Sequence, residues 1–472
     1  MKSLFCFLSL VISAQALAQE LLSDNPALHD AFKLAVQTVD INTRRGILAA
    51  GADYGGEWTR DIAINSWNGV SLFRPAIAEK SLWSVTINRD TIGHQYWDKI
   101  LWAIAANNHY FVTGDKEFLA QAYRCSANTM NELEQTTFDT QYGLFMGPSV
   151  FNDGIAAYPE PIYEPNNYSG GVLDHKYSHH IKCLSTNCIY YGAYVSLGRM
   201  SVLLNESDSV TRTYQHKAAA LKRCILKNFY NNKKNTFNYL IDHRGRVDTS
   251  QEALGISFAV IFGIIDGEKA NQLLKHAVVS QYGITSITPD FPRYSKAMPG
   301  RHNNIIWPMV NGFFARAAVV AGNYKSFTNE LTSLTHLALD EDKGNYDFRE
   351  IYNPYSGKPD GGYQAWGEEH PNFHWESCRL QTWSATAYIS MVLNGLFGMR
   401  LEAESLSFDP FLPREIGSIK IKNLAYRDSK LSISVEGNGH TIKSFTLDGK
   451  EEATHSIPSA TRGEHTIVIV LE

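Results

Sequence analysis

The 472-residue sequence has no Cys-x-x-Cys pair and no His-Glu-x-x-His run, which argues against a structural zinc or a metalloprotease site. It has no block of like charge either. Forty-three Lys and Arg against 48 Asp and Glu leave a formal −5, and the basic stripe of a nucleic-acid partner is missing. No Gly-rich or strongly basic loop offers itself as a phosphate pocket. After Ile12 no apolar run is long enough to span a bilayer. No internal repeat is obvious, and no cofactor motif appears. The cluster Asp174-His175 with His179-His180 is expected to be a polar loop lining a cleft rather than a metal site.

What is present begins with a leader. Met1-Lys2 supplies a positive start, Leu4 to Ile12 an apolar run, and Ala16-Leu17-Ala18 a small-x-small site before Gln19. That is the anatomy of a cleavable secretory signal, too short to persist as an anchor. The expectation is a signal peptide over 1–18 and a soluble, periplasmic mature chain with no membrane attachment. Five cysteines then remain: Cys125, Cys183, Cys188, Cys224 and Cys378. In an oxidising compartment Cys183 and Cys188, closing a short loop, are the candidates for a disulfide, and the odd number leaves at least one thiol free. Aromatic residues reach 12%, with nine Trp. Such a content suits a large core and equally a cleft where flat rings stack on sugar faces.

Helical patterning dominates to about residue 400. Trp97 to Ile104, Asn187 to Leu204, Gly312 to Ala318 and Thr382 to Phe397 carry apolar residues at three- and four-residue spacing. Long polar loops rich in Gly, Pro, Asn and aromatics separate them, at 49–60, 143–180, 283–307 and 344–376. Loops of that length inside a compact domain are usually functional, and here they recur as they would if all fed one face of a helical barrel. After Arg400 the pattern changes. Leu406 to Pro413, Ser418 to Lys422, Leu431 to Val435 and His465 to Val470 alternate in polarity and are separated by turns such as Asp448-Gly449. The sequence therefore predicts a helical domain over 19–403 and a small antiparallel β module, sandwich-like, over 404–472.

Hydrolysis of a glycosidic bond needs one carboxyl to protonate the leaving oxygen and one carboxylate to activate water, set roughly 6.5–9.5 Å apart for inversion. Asp153, in Phe151-Asn-Asp-Gly154, has apolar neighbours and no Lys or Arg nearby in sequence. That favours the raised pKa of a general acid, although Asn-Asp-Gly is equally a turn. Glu350 leads into Tyr352-Asn-Pro354 and can stand at a loop mouth. Glu368, Glu369 and Glu376 share its loop, and Glu376 is the alternative base. In Trp58-Thr-Arg60-Asp61 an adjacent donor and acceptor beside an indole suit vicinal hydroxyls, and the same residues suit a helix N-cap. Arg301-His302-Asn303-Asn304 before Trp307-Pro308, and Gln381-Thr-Trp383, place polar side chains just ahead of helices. A sugar or the protein itself can supply their partners.

Taken in order, these segments resemble the bacterial relatives of trehalases, processing α-glucosidases and mannosylglycerate hydrolases. Glu57-Trp-Thr-Arg-Asp-Ile62 is similar to that superfamily's Trp-x-Arg-Asp sugar-binding segment. The Asp153 loop ending in Tyr158-Pro159 is similar to its acid loop. Glu350-Ile-Tyr-Asn-Pro354 is similar to the segment of the base, and Gly361-Gly-Tyr363 and Gln381-Thr-Trp-Ser384 to the stretches downstream of that segment. Ser185-Thr-Asn187, His302-Asn303 with Trp307-Pro308, and Gly395-Leu-Phe-Gly398 also fall in order. The acid loop departs from the Gly-x-Asp of trehalases, so trehalose does not follow as substrate.

The resemblance, over roughly residues 40–415, implies a six-hairpin (α/α)6 barrel and an inverting glycoside hydrolase of a small α-linked sugar or oligosaccharide, working without metal or cofactor. It assigns Asp153 as acid and Glu350 as base. Trp58, Arg60, Asp61, Asn187, His302, Asn303, Trp307, Gln381 and Trp383 would hold the sugar. Other chemistries on such a barrel are phosphorolysis, epimerisation and uronate elimination. A carbohydrate-binding protein without catalysis is the remaining alternative.

Overall fold

The computed structural model describes residues 19–472 apart from His94; the signal peptide expected over 1–18 lies outside the described residues. The chain is mainly helical. Twelve helices carry the fold: α1 (Pro26–Ile41), α2 (Thr59–Asn65), α3 (Pro75–Ser84), α4 (Leu101–Thr113), α5 (Lys116–Thr136) and α6 (Leu184–Leu203), then α7 (Asp208–Phe229), α8 (Ala253–Ile261), α9 (Gly267–Lys275), α10 (Pro308–Val320), α11 (Tyr324–Leu339) and α12 (Thr382–Ser390).

Odd and even helices differ in sequence because they differ in surroundings. The odd ones are mostly amphipathic, and α1, α5, α7 and α11 are capped by a side chain at their starts. Asn25 accepts from the Leu28 amide at the start of α1, which buries Leu28, Ala31, Phe32, Ala35 and Val39 on one stripe. Asp115 caps α5 by accepting from Glu117 and Phe118. The even ones are buried almost all round. Every residue of α8 from Ala253 to Val260 is buried, as is every residue of α10 from Pro308 to Ala315.

Packing follows that division. α2 lies on α4, α4 on α6, α6 on α8, α8 on α10, α10 on α12, and α12 returns to α2, so the even helices close a ring. The odd helices lie outside it: α3 against α4, α5 between α4 and α6, α7 against α6, α9 against α8, α11 against α10, and α1 against α12. At Gly312 the approach of α10 to α12 leaves no room for a side chain, since an added Cβ would stand 2.6 Å from that of Ala387. Helix boundaries track the expected ones within a few residues. The exception is α4, where Trp97 to Ile100 form turns ahead of the helix. Asp98 there turns to accept from the Phe151 amide. No helix among the described residues is long and apolar enough to cross a membrane.

The strands that matter are β1 (Glu20–Ser23), β2 (Tyr363–Gln364), β3 (Phe373–His374), β4 (Met399–Leu401), β5 (Ser405–Phe408) and β6 (Ile419–Tyr426), followed by β7 (Ser429–Glu436), β8 (Ile442–Leu447), β9 (Lys450–Glu451), β10 (Ser456–Pro458) and β11 (Gly463–Leu471). A six-stranded sheet runs β1-β6-β7-β11-β8-β9, and a second runs β4-β5-β10. The C-terminal module is antiparallel as expected except at its centre, where β7 and β11 are parallel. The N-terminal strand β1 completes the sheet, Leu21 facing Ile421. Alternate side chains of β6, β7 and β11 are buried in the same hydrophobic cluster as the ring helices.

The expected disulfide is absent. Cys183 and Cys188 are both free and buried. Cys183 points into a small cluster under the 155–181 loop, and Cys188, one turn into α6, points into the main core. Their side chains are therefore committed to different packing environments.

Candidate active site

The even helices α2, α6, α10 and α12 all begin at one end of the ring, and the long loops join them there. A cavity of about 440 Å³ opens at that end. Trp58, Arg60 and Asp61 reach it from the start of α2, Asp153 from the loop between α5 and α6, and His302 and Trp307 from the loop into α10. Glu350 comes from the loop between α11 and α12, and Gln381 and Trp383 from the start of α12.

The two carboxylates predicted to carry chemistry each hold an arginine. Arg60 donates to Asp153 Oδ2 at 2.7 Å, and His302 Nε2 stands 3.4 Å from Asp153 Oδ1. Arg301 donates to Glu350 Oε1 at 2.9 Å, Tyr54 donates its hydroxyl to Oε2 at 3.0 Å, and the Cys378 amide approaches the same oxygen at 3.4 Å. Glu350 is thus clamped on both oxygens and buried. Asp153, with 28% of its side chain exposed, faces the open cavity.

The pKa of Asp153 runs opposite to the sequence expectation. Burial raises it, but Arg60, His302 and Arg301 together outweigh burial and hold it below the ordinary value. Arg60 lies 93 residues away in sequence, so neighbours along the chain gave no sign of it. Asp61 behaves in the opposite way. Burial, with repulsion from Asp153, Glu350 and Asp98, overcomes the attraction of Arg60 and pushes it up to about 7. His302 is pushed down to about 3 by burial and by Arg301 and Arg60, against the pull of Asp153. It is therefore neutral, and its ring stacks on Trp307 at 4.5 Å.

Around these groups the walls are aromatic and rich in donors. Trp307 and Trp383 meet edge to face at 6.0 Å, and the Arg60 guanidinium lies 4.4 Å over the Tyr96 ring. Several buried polar atoms on cavity-lining side chains have no hydrogen-bond partner in the protein: Arg60 Nε and Nη1, which make only long ion-pair contacts with Asp61 and Asp98, the indole nitrogens of Trp307, Trp375 and Trp383, and Gln381 Oε1. Buried polar atoms without partners are uncommon, and this set, mostly N–H donors, matches hydroxyl oxygens. Gly154 lets the Asp153 loop sit close, since a Cβ there would fall 2.3 Å from both Gln364 Oε1 and His302 Nδ1.

Three expected site residues lie elsewhere. Asn187 is buried within the wall, accepting from the Phe145 amide and donating to the Phe145 and Cys183 carbonyls, so it ties a loop to the start of α6. Asn303 accepts from the Phe291 amide and donates toward the Pro289 carbonyl, bracing its own loop. Glu376 is exposed; Trp375 beside it lines the cavity, and the next residue along an extended segment faces the other way. Conversely Tyr54, Tyr96, Arg301, Gln364, Trp366 and Trp375 line the cavity without having been singled out. Five of them sit in the loops or segments flagged by composition. Tyr96 follows a two-residue ladder and carried no sequence signal.

Arginine-braced carboxylates beneath aromatic walls, at the loop end of a helical ring, make up a glycoside hydrolase domain. Residues 83–376, more than half of the chain, match the model of the mannosylglycerate hydrolase MGH1-like glycoside hydrolase domain, and the chain belongs to that family. Residues 399–456 match the C-terminal domain of glycosyl hydrolase family 65. No curated protein matches the chain. Among solved structures it is similar to the GH63 mannosylglycerate hydrolase from Thermus thermophilus in complex with glucose, at 16% identity and a TM-score of 0.60, covering 76% of this chain and 99% of that one. A sialidase is similar at 15% identity and a TM-score of 0.71 over 92% of this chain; the chain spans 40% of that protein's length. The GH78 family rhamnosidase of Bacillus sp. GL1 is similar at 11% identity and a TM-score of 0.59, covering 96% of this chain and 44% of that one. At these identities the likeness is one of fold.

Proposed function

We propose that the chain is an inverting exo-acting hydrolase of a small α-linked glycoside, with Asp153 as general acid and Glu350 as general base. One observation carries the reading: Asp153 and Glu350, far apart in sequence, line the same cavity, each oriented by its own arginine. Glu350, held by Arg301 and Tyr54, is poised to take a proton from water. Asp153 receives its proton in the complex. When a sugar hydroxyl competes for the Arg60 donors, the ion pair weakens and burial raises the Asp153 pKa toward that of an acid. Asp61 and the Arg60 and tryptophan nitrogens that lack a hydrogen bond in the protein grip hydroxyls. Mannosylglycerate, which names the family, is the first substrate to test.

Three further readings belong to this proposal. The ring of even helices within odd ones is the (α/α)6 toroid of six helical hairpins, a reading supported by the closed sequence of contacts. Residues 19–403 form the catalytic unit and 404–472 a sheet that buttresses it. The mature chain is secreted to the periplasm after cleavage behind Ala18.

The experiment is product release from a panel of α- and β-glycosides by wild type, Asp153→Asn and Glu350→Gln, with the anomeric proton followed by NMR. Inversion on an α-glycoside, lost in both variants, is the expected result. Retention overturns the two-carboxylate mechanism, and release unaffected by either change overturns the assignment of residues.

A further inference from the structure

The opposite end of the ring holds a second cavity, of about 850 Å³, bounded by α4, α6, α7 and α10 and by β4 with the segment after it. Cations gather there. Arg199 on α6, Lys222 on α7, Arg316 on α10 and Arg400 on β4 line it, with Glu402 the one acidic residue among its walls.

Helix C-termini attract cations, and that accounts for two of the four. Lys222 donates to the Gly263 carbonyl at 2.6 Å and Arg400 to the Asn394 carbonyl at 2.7 Å, with Asp409 a further 3.7 Å contact. Arg316 is different. It makes no hydrogen bond and no ion pair among the described residues, its Nη1 is buried without a hydrogen-bond partner, and its guanidinium lies over the Trp67 ring at 4.7 Å. Burial and the neighbouring Arg400 both push its pKa below the ordinary value, with no acidic group acting against them. A guanidinium nevertheless stays charged. The protein thus holds a cation against apolar walls with its planar fork of donors unused.

Arg316 is half-buried with its Nη1 enclosed and unpaired, and the cavity beside it is of a size that takes a small molecule. Phe111, Val195, Met399 and Leu401 supply an apolar surface next to the guanidinium. We propose that this basal cavity binds a small organic oxyanion, a carboxylate or phosphate on an apolar body, with Arg316 as its bidentate anchor and Arg400 as a second positive charge. The site is independent of the sugar cavity and of the reaction proposed there, because it lies at the other end of the helices.

The test uses the full chain with benzoate and phenyl phosphate as probes, read by calorimetric titration and by thermal melting, with chloride at equal ionic strength as reference. Saturable binding with a rise in Tm over chloride is expected, and Arg316→Met should weaken it by about tenfold or more. Should that variant fail to fold, Ala219→Trp, at an exposed position of α7 on the cavity wall, fills the space and should have the same effect. No binding of either probe beyond chloride overturns the proposal. So does binding retained by folded Arg316→Met, or by Ala219→Trp where that variant decides.

Discussion

Asp61→Asn should make the protein more stable at alkaline pH while crippling its site. Asp61 sits in the first turn of α2, 4% exposed, and its nearest cation, Arg60 Nε, is 3.9 Å away. Its pKa of about 7, against an ordinary 3.8, means that the fold favours the protonated form. The contribution is therefore fully present below about pH 4 and is lost as pH rises through 7. A gap of about three units corresponds to about 4 kcal/mol at its limit. Asparagine has the same shape and never incurs that penalty, so the variant should match wild type at pH 4. It should gain progressively to pH 8, by about 4 °C in Tm for a chain of this size. The assay is thermal melting of both proteins at pH 4, 6 and 8, comparing differences so that other titrations cancel. At pH 8, where Asp61 is ionised, loss of its charge as an acceptor for a sugar hydroxyl should lower kcat/KM by about ten- to hundredfold. A stability difference that is flat with pH, or a variant less stable than wild type at pH 8, refutes the electrostatic account of this site.

Three other outcomes are expected. Tyr54→Phe removes a donor from Glu350 Oε2 and should lower kcat by about tenfold; an unchanged kcat would show that Arg301 suffices to orient Glu350. Gly312→Ala forces a Cβ against Ala387 and should cost about 1–3 kcal/mol, read as a lower urea midpoint and recovered in part by adding Ala387→Gly. Cys125, Cys183, Cys188, Cys224 and Cys378 should all react with a thiol reagent after unfolding without reductant, with no change in mass on prior reduction.

Much of the fold was legible because its signal is local. The apolar stripe of α1 and the apolar run of α8, interrupted only by Gly255 and Ser257, carry their burial without reference to any partner. The alternation of Leu431 to Val435 and His465 to Val470 marks strands in the same way. What strands pair with is not local. The parallel neighbourhood of β7 and β11, and the recruitment of β1 from the other end of the chain, left no trace in their own residues. The same divide runs through the site. Residues flanking helix starts, such as Arg60, His302, Trp307 and Gln381, were found because a ring of helices must point its starts at one end. Asn187 and Asn303 share that placement yet commit their amides to backbone groups of the wall, a difference set by atoms tens of residues away. Cys183 and Cys188 are close in sequence, but a helix start between them turns their side chains into separate clusters.

By itself the amino-acid sequence determined the helical patterning to about residue 400, the change to strands beyond it, and the stretches in which polar and aromatic residues collect. These follow from hydrophobic periodicity, which each segment carries alone. Only the tertiary structure decided the charges. Asp153, expected to be a raised acid, is held ionised by Arg60. Asp61, expected to be a hydroxyl acceptor, is the carboxyl lifted to neutrality, and Glu350 is clamped by an arginine and a tyrosine from distant loops. Proton affinity depends on burial and on charges a few ångströms away through space, and those distances exist only once the ring has closed.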